Sequence, residues 1–223
     1  MSPPGANLSH VEHWVFDLDN TLYPPECEFM ALVEGRITDF VVRESGLPRD
    51  EALSLQKRYL HEHGTSLAGL MAHYDIDPHR FLDEVHDVSL DCLQPDAALR
   101  RGLERLPGRR LVFTNGSARH AERVLERLGV ADLFEDVFHL EAAELIPKPD
   151  PRTFDRMIRR HAVQARAAAF FEDTEKNLAP AAVLGMTTVL VGPHAPLSTA
   201  SFVDHKADRL PAFLRTARTK ELP

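Results

Sequence analysis

The sequence has few cysteines, no long apolar run and no excess of positive charge, and each absence excludes a class of protein. Cys27 and Cys92 are the two cysteines among 223 residues, too few for the disulfide framework of a small secreted domain. No apolar run approaches the roughly 18 residues that a membrane-spanning helix requires. Lysine and arginine total 26 against 34 aspartates and glutamates, and the resulting net charge of −8 disfavours binding to nucleic acid. We therefore expect a reduced, cytoplasmic protein that binds neither membranes nor nucleic acid.

The chain otherwise has an ordinary globular composition, with 43% hydrophobic and 27% charged residues. Its first ten residues, MSPPGANLSH, lack the basic and apolar regions of a secretory signal. We expect these residues to form a short flexible leader.

Short apolar runs alternate with helical patterns from about residue 108 onward. The runs are nearly continuous in apolar residues, which is typical of strands that are covered on both faces. The alternation predicts an α/β fold with a Rossmann-like, doubly wound parallel sheet. The predicted strands are residues 11–17, 110–114, 137–140, 167–171 and 187–191, and the predicted helices of this part are 117–128, 151–161 and 210–217.

The segment that follows the first strand has helical spacing throughout and contains no strand pattern. Its predicted helices begin near Phe29 and continue at residues 50–62, 66–73 and 79–92. We therefore predict an all-helical cap domain at residues 23–92, inserted into an α/β core domain that comprises residues 1–22 and 93–223.

Each of four polar segments is predicted to lie at the carboxyl end of a strand, the edge at which ligands bind to an open parallel sheet. They are Asp17-Leu18-Asp19-Asn20-Thr21, Thr114-Asn115, Lys148-Pro149 and Glu172-Asp173. Two carboxylates a few ångströms apart repel by about 4 kcal/mol at an effective dielectric near 20, so the cluster calls for a cation or for protons. Oxygen ligands without nearby cysteine or histidine favour Mg²⁺ over zinc. Lys148 and the Thr114 hydroxyl offer a positive charge and a donor to a phosphate.

Together the four segments resemble, in order, the four motifs of the haloacid dehalogenase superfamily, and the helical insertion resembles that family's C1 cap. The resemblance implies that Asp17 is a nucleophile that forms an aspartyl-phosphate and that Asp19 is the general acid and base. It also implies a Mg²⁺ ion held by the Asp17 carboxylate, the Asp19 backbone carbonyl and Asp173. The implied phosphate-binding residues are Thr114, Asn115 and Lys148. A carboxylate at Asp19 implies a phosphatase or phosphomutase, since a departing halide needs no proton.

Further strings resemble the pyrimidine 5′-nucleotidase branch of this superfamily. They are residues 16–24, 59–70, 74–77 and 111–121. The implied substrate is a nucleoside monophosphate. The alternatives are a phosphatase of another small phosphate ester, such as phosphoglycolate or a sugar phosphate, a phosphomutase, and a non-catalytic phosphate-binding module.

Several polar residues near these motifs have more than one interpretation. His120 either approaches the phosphate pocket or is structural, and Glu172 and Asn177 either bind the metal or support its ligands. Candidate substrate contacts are Tyr23, Arg58 and Thr65, whereas Tyr59 is expected to pack between cap helices. Four histidines, His61, His63, His73 and His79, are interpreted as surface residues and not as a metal site.

Overall fold

A six-stranded parallel sheet lies at the centre of the computed structural model, which describes residues 5–220. Its strands are His13–Phe16 (β1), Arg109–Phe113 (β2), Asp136–Phe138 (β3), Ala168–Glu172 (β4), Thr187–Val191 (β5) and His205–Ala207 (β6). The strand order is β3-β2-β1-β4-β5-β6, so the direction of winding reverses between β1 and β4. The predicted doubly wound α/β fold is confirmed.

Helices cover the sheet and form the insertion after β1. The insertion contains Phe29–Ser45 (α1), Arg49–His63 (α2), Ser66–His73 (α3) and Pro78–Val85 (α4). The other helices are Ala97–Glu104 (α5), Ala118–Leu128 (α6), Pro151–His161 (α7), Glu175–Val183 (α8) and Leu210–Thr216 (α9). Within residues 5–220, no helix is both long enough and apolar enough to cross a membrane.

The central strands are apolar on both faces because a layer of helices packs on each side. Along β1, Trp14 and Phe16 join the hydrophobic cluster on one face, and Val15 joins the cluster on the other. Phe16 stacks on Phe171 of the neighbouring strand with ring centroids 4.6 Å apart. The continuous apolar pattern therefore reports burial on two sides, as expected.

The insertion has a hydrophobic cluster of its own, to which α1, α2, α3 and α4 all contribute. Tyr59 is buried within this cluster, as predicted. The last helix ends at Val85, so the prediction that it continues to residue 92 is wrong. Backbone carbonyls of His86 and Val88 instead accept hydrogen bonds from the Arg123 guanidinium at 2.8 and 3.0 Å. The proposed boundaries of the cap domain stay a prediction.

The structure differs from the sequence-based expectations at both ends of the described chain. Residues 1–4 of the expected leader lie outside the described residues, but Leu8 is fully buried and its N–H donates to the Arg218 carbonyl at 2.8 Å. The described part of the leader thus packs against the C-terminal segment. Strand β6 was not predicted because it is short and contains Lys206, and its position beside β5 depends on tertiary pairing. Helix α9 lies where the sequence predicts it.

Candidate active site

The site lies where strands β1 and β4 end side by side at the reversal of winding. Asp17 follows β1 directly, and its N–H donates to the carbonyl of Phe171 in β4 at 2.8 Å. Glu172 is the last residue of β4, and Asp173 follows it. The parallel pairing of β1 with β4 therefore brings carboxylates more than 150 positions apart to one crevice.

A tight turn after β1 fixes the orientation of Asp17. Asn20 has a φ of 59°, a left-handed conformation that asparagine tolerates better than most residues. The turn returns Thr21 to the strand end, where its hydroxyl donates to Asp17 Oδ2 at 3.1 Å. The Leu22 N–H closes the turn on the Leu18 carbonyl at 3.0 Å.

Lys148 provides the buried positive charge of the site. Its Nζ donates to Asp17 Oδ1 and Glu172 Oε2, both at 2.7 Å, and to the Phe113 carbonyl at 2.8 Å. The lysine side chain is 1% exposed. Burial alone would lower the pKa of Lys148, but the charges of Asp17 and Glu172 outweigh burial and raise it. Lys148 is therefore charged at neutral pH and is held between two carboxylates.

Asn115 fixes the loop that presents Lys148. Its Oδ1 accepts from the Lys148 N–H at 2.8 Å, and its Nδ2 donates to the Lys148 carbonyl at 3.2 Å. This loop begins well after β3 ends at Phe138, so Lys148 does not lie directly at a strand end as the sequence suggested. The side chain of Asn115 thus holds the backbone of Lys148, a contact that the spacing of these residues in the sequence does not indicate.

Three carboxylates form a cluster that fits a divalent cation. One oxygen from each of Asp17, Glu172 and Asp173 lies within 4.8 Å of the others. Burial first, and then the charge of a neighbouring carboxylate, outweigh the opposing charge of Lys148 and raise the pKa of Asp17 and of Glu172 to about 7 and that of Asp173 to about 6. Asn177 lines the same cavity, and its buried Oδ1 has no hydrogen-bond partner within the described residues. Mutually repelling carboxylates and an unpartnered amide oxygen are the oxygen donors that Mg²⁺ takes.

Glu172 has a second role that its sequence position did not settle. While Oε2 accepts from Lys148, Oε1 accepts from the Thr174 N–H at 3.1 Å. The side chain is therefore held at both oxygens, and its most direct effect is to position Lys148.

The side chain of Asp19 points to a different set of partners. Its Oδ1 accepts a hydrogen bond from the Tyr23 hydroxyl at 2.5 Å and lies 2.8 Å from His120 Nε2. Burial raises the pKa of Asp19, but the charge of His120 and the two hydrogen bonds outweigh it and lower the pKa below its usual value. Of the two interpretations of His120, the structure favours an approach to the site, through Asp19.

Thr114 and Gly116 form the floor of the site after β2. The Thr114 hydroxyl is buried and accepts from the Gly116 N–H at 2.9 Å. A Cβ atom at residue 116 would lie 2.8 Å from His120 Cδ2 and 3.2 Å from Thr114 Oγ1. Only glycine therefore lets the backbone pass this close to both side chains.

A cavity of about 330 Å³ opens above these groups, between the sheet edge and the helical insertion. The polar floor contains Asp17, Asp19, Thr114, Lys148 and Asp173 together. The wall from the insertion is largely apolar and consists of Met30, Val33, Ile37, Leu60, Gly64, Leu67, Phe81, Leu82 and Val85, with Glu34, Gln56, Thr65, Ser66 and His86 as polar members. Among the described lining residues, the lysines and arginines are Lys148 and Lys176, and both belong to the α/β part.

The three candidate substrate contacts have different positions. Thr65 lines the cavity, although its hydroxyl also caps α3 by accepting from the Ala68 N–H at 3.1 Å. Tyr23 is buried against Asp19 and does not line the cavity. Arg58 is exposed, lies against Tyr59 and is not among the residues that line the cavity, so its role as a substrate contact stays a prediction without support from the cavity.

Within residues 5–220, the group whose ligand atoms lie close enough together to hold a metal ion is Asp17, Glu172 and Asp173, and it includes none of the four histidines of the insertion. His61, His73 and His79 are exposed and His63 is half-buried. His73 stacks on Tyr59 with ring centroids 5.1 Å apart. The exposure of His61, His73 and His79 agrees with their interpretation as surface residues.

Comparison with known proteins relates this chain to hydrolases of one fold. Residues 11–185 match the family model described as haloacid dehalogenase-like hydrolase. Phosphate metabolism protein 8 of Saccharomyces cerevisiae is 33% identical over 192 residues, which cover 78% of this chain and 60% of that protein. This chain thus spans about 60% of the length of that curated relative, which is less than two thirds.

Solved structures give the same fold. A 2-haloacid dehalogenase from Pseudomonas syringae pv. Tomato DC3000 is 25% identical, with a TM-score of 0.58 over 92% of this chain and 97% of that one. A HAD phosphatase from Thermococcus onnurineus is 20% identical, with a TM-score of 0.61 over 92% of this chain and 96% of that one.

Proposed function

The chain belongs to the family of haloacid dehalogenase-like hydrolases, and we propose that it is a phosphomonoester hydrolase that acts through an aspartyl-phosphate on Asp17. One observation carries this choice over dehalogenation. Asp19 shares a cavity with Asp17, and two donors hold one oxygen of its carboxylate. A leaving alkoxide needs a proton, whereas a leaving halide does not. A fixed acid beside the nucleophile therefore supports phosphate ester chemistry.

The proposed reaction has two steps. In the first, an Asp17 oxygen bonds to phosphorus, the bond from phosphorus to the alcohol oxygen breaks, and Asp19 protonates that oxygen. In the second, water attacks phosphorus, Asp19 takes a proton from the water, and inorganic phosphate leaves with Asp17 restored. The pKa of Asp19 is low in the free site, and the negative charge of a bound phosphate raises it, which favours the acid that the first step requires.

Lys148 and the loop after β2 supply the proposed phosphate site. Lys148 offsets the charge of Asp17 through their 2.7 Å contact, so that a dianionic ester can approach an ionised carboxylate. The Thr114 hydroxyl and the backbone of Asn115 lie at the end of the adjacent strand and are the proposed donors to the phosphoryl oxygens. Such preorganised donors lower the barrier without rearrangement during the reaction.

Mg²⁺ is the proposed cofactor because the cluster of oxygen donors fits it. The proposed ligands are the carboxylates of Asp17 and Asp173 and the backbone carbonyl of Asp19. When bound, the ion would neutralise charge on the transferring phosphoryl group. Glu172 and Asn177 are proposed to support the site, Glu172 by holding Lys148.

The proposed substrate is a nucleoside monophosphate, as the resemblance to pyrimidine 5′-nucleotidases implies. The largely apolar wall of the insertion suits a flat, uncharged leaving group. Glu34 on that wall would repel a second anionic group, such as the carboxylate of phosphoglycolate. The words phosphate metabolism in the name of the yeast relative are compatible with this class. Sugar-phosphate hydrolysis, phosphomutase activity and phosphate binding without turnover are the alternatives.

The experiment measures phosphate release from UMP, CMP, AMP, GMP, phosphoglycolate and glucose 6-phosphate, and halide release from 2-chloropropionate. Asp17→Asn is expected to abolish turnover while the fold is retained, and Asp155→Asn, at an exposed acid on α7, is the matched control. EDTA should abolish activity and Mg²⁺ should restore it. Near-normal activity of Asp17→Asn would reject the mechanism, and a flat substrate profile would remove the nucleotide proposal alone.

A further inference from the structure

His120 is held in a stack of three rings beside Asp19. The Phe29 ring lies nearly parallel to the His120 ring, at an interplanar angle of 5° and a centroid distance of 5.8 Å. The His86 ring also stacks on His120, at an interplanar angle of 19° and a centroid distance of 4.2 Å. The side chain of His120 is 2% exposed, so the stack leaves the imidazole little freedom to rotate.

The two rings that stack on His120 come from the two ends of the helical insertion. Phe29 is the first residue of α1, and His86 directly follows α4. His86 is itself fixed, because its Nδ1 lies 3.2 Å from the Ser117 hydroxyl. Ser117 also accepts from the N–H of His120 at 3.2 Å, as the N-cap of α6. The entry and the exit of the insertion therefore both contact one imidazole.

Both donors to Asp19 use the same carboxylate oxygen. The Tyr23 hydroxyl and His120 Nε2 converge on Oδ1, at 2.5 and 2.8 Å. Asp19 lines the cavity, and within the described residues its Oδ2 has no hydrogen-bond partner. Two donors at different angles prevent rotation of the carboxylate and leave the second oxygen for the substrate.

We propose that His120 and Tyr23 are positioning residues that fix Asp19 through Oδ1 so that Oδ2 transfers the proton, and that Phe29 and His86 tie this alignment to the insertion. The inference rests on the proposed phosphatase function. Its physical basis is that proton transfer requires hydrogen-bond geometry between the acid and the leaving oxygen. The consequence is that the acid is aligned only when both ends of the insertion are seated on His120.

The test compares two esters of similar size that differ in their need for an acid. Phenyl phosphate releases the more basic phenolate, whereas 4-nitrophenyl phosphate releases a weakly basic one that departs without full protonation. The value of kcat/KM reports on the step in which this group leaves. A misaligned Asp19 therefore reduces kcat/KM for phenyl phosphate far more than for 4-nitrophenyl phosphate.

Four variants are measured with both esters. His120→Leu removes the donor, whereas His120→Gln places an amide N–H close to the position of Nε2 and should restore much of the activity. Tyr23→Phe removes only the hydroxyl, and Phe29→Leu removes one ring of the stack without touching Asp19. General acid catalysis contributes about 10²–10⁴-fold. We expect His120→Leu and Tyr23→Phe to lower kcat/KM for phenyl phosphate by at least about 10-fold, which is part of that range, and to lower it little for 4-nitrophenyl phosphate. Phe29→Leu should show the same selectivity with a smaller loss.

Equal losses for both esters in Tyr23→Phe and His120→Leu would overturn the positioning role, as would a Gln variant no better than Leu. If His120→Leu does not fold by circular dichroism, Tyr23→Phe decides the question, because it keeps the ring and its packing. Wild-type protein that hydrolyses neither ester, or an Asp17→Asn variant that remains active, would instead reject the proposed function. The two failures are therefore distinguishable.

Discussion

Replacement of Lys148 by methionine should destabilise the metal-free protein strongly, and more at high pH than at low pH. The ammonium group has two carboxylate contacts at 2.7 Å and one carbonyl contact at 2.8 Å, and it is 1% exposed. Methionine fills a similar volume but leaves Asp17 and Glu172 buried without a counter-charge. Removal of one partner from a buried ion pair costs about 3–5 kcal/mol, and we expect a loss of this size at pH 8 in EDTA.

The sign of the pH dependence follows from the two carboxylates. The pKa of each is about 7 in the folded protein, above its ordinary value, because of burial first, and loss of Lys148 raises both further. A carboxylate with a raised folded pKa stabilises the fold fully at pH values below its unfolded pKa, and that stability is lost as the pH rises through the folded pKa. At pH 5 the loss should therefore shrink to about 1–2 kcal/mol, the cost of the missing hydrogen bonds.

The assay is urea unfolding of wild type, Lys148→Met, Glu172→Gln and the double variant, at pH 5 and pH 8 with EDTA. The double variant should recover part of the loss at pH 8, since one of the uncompensated charges has gone. The reasoning is refuted if the loss is the same at both pH values, or if the two substitutions are additive at pH 8.

Two further predictions concern the metal-free site and the packing of the insertion. In EDTA, the free energy of unfolding of the wild type should fall between about pH 4 and pH 7, because burial raises the folded pKa of Asp17 from 3.8 to about 7 and that of Asp173 to about 6. At about 1.4 kcal/mol per pKa unit, the contribution of Asp17 to this fall is on the order of 4 kcal/mol, and Mg²⁺ should reduce it. Urea unfolding that shows a flat or rising stability in EDTA would contradict this prediction. Gly69→Ala should destabilise the protein by about 1–3 kcal/mol, because the new Cβ would lie 2.3 Å from Tyr59 Cγ. Gly35→Ala, whose Cβ would have no atom within 4 Å, should stabilise α1 slightly. Equal effects of the two variants in thermal or urea unfolding would show that α2 and α3 separate without cost.

Local sequence patterns predicted most of the architecture. The apolar runs at β1, β2, β4 and β5 are continuous because these strands are covered on both faces, and that signal lies within each segment. The pattern failed where the structure depends on a distant partner. β6 exists because its backbone pairs with β5. Helix α4 ends where the carbonyls of His86 and Val88 accept hydrogen bonds from the Arg123 guanidinium.

The candidate site shows the same division. The order of Asp17, Asp19, Thr114, Lys148 and Asp173 in the chain, together with their residue types, was enough to predict a site for a phosphate and a cation. The structure then placed all five on one cavity. Their roles as nucleophile, acid, phosphate ligands and metal ligands stay predictions until the variants are measured.

By itself, the sequence determined which residue types follow the strands and that a helical segment separates the first strand from the second. Only the tertiary structure decided that Tyr23 and His120 share one oxygen of Asp19, and that Phe29 and His86 both stack on His120. The reason is physical: a strand pattern reflects burial along consecutive residues, but a hydrogen bond between residues 101 positions apart depends on how separate elements pack.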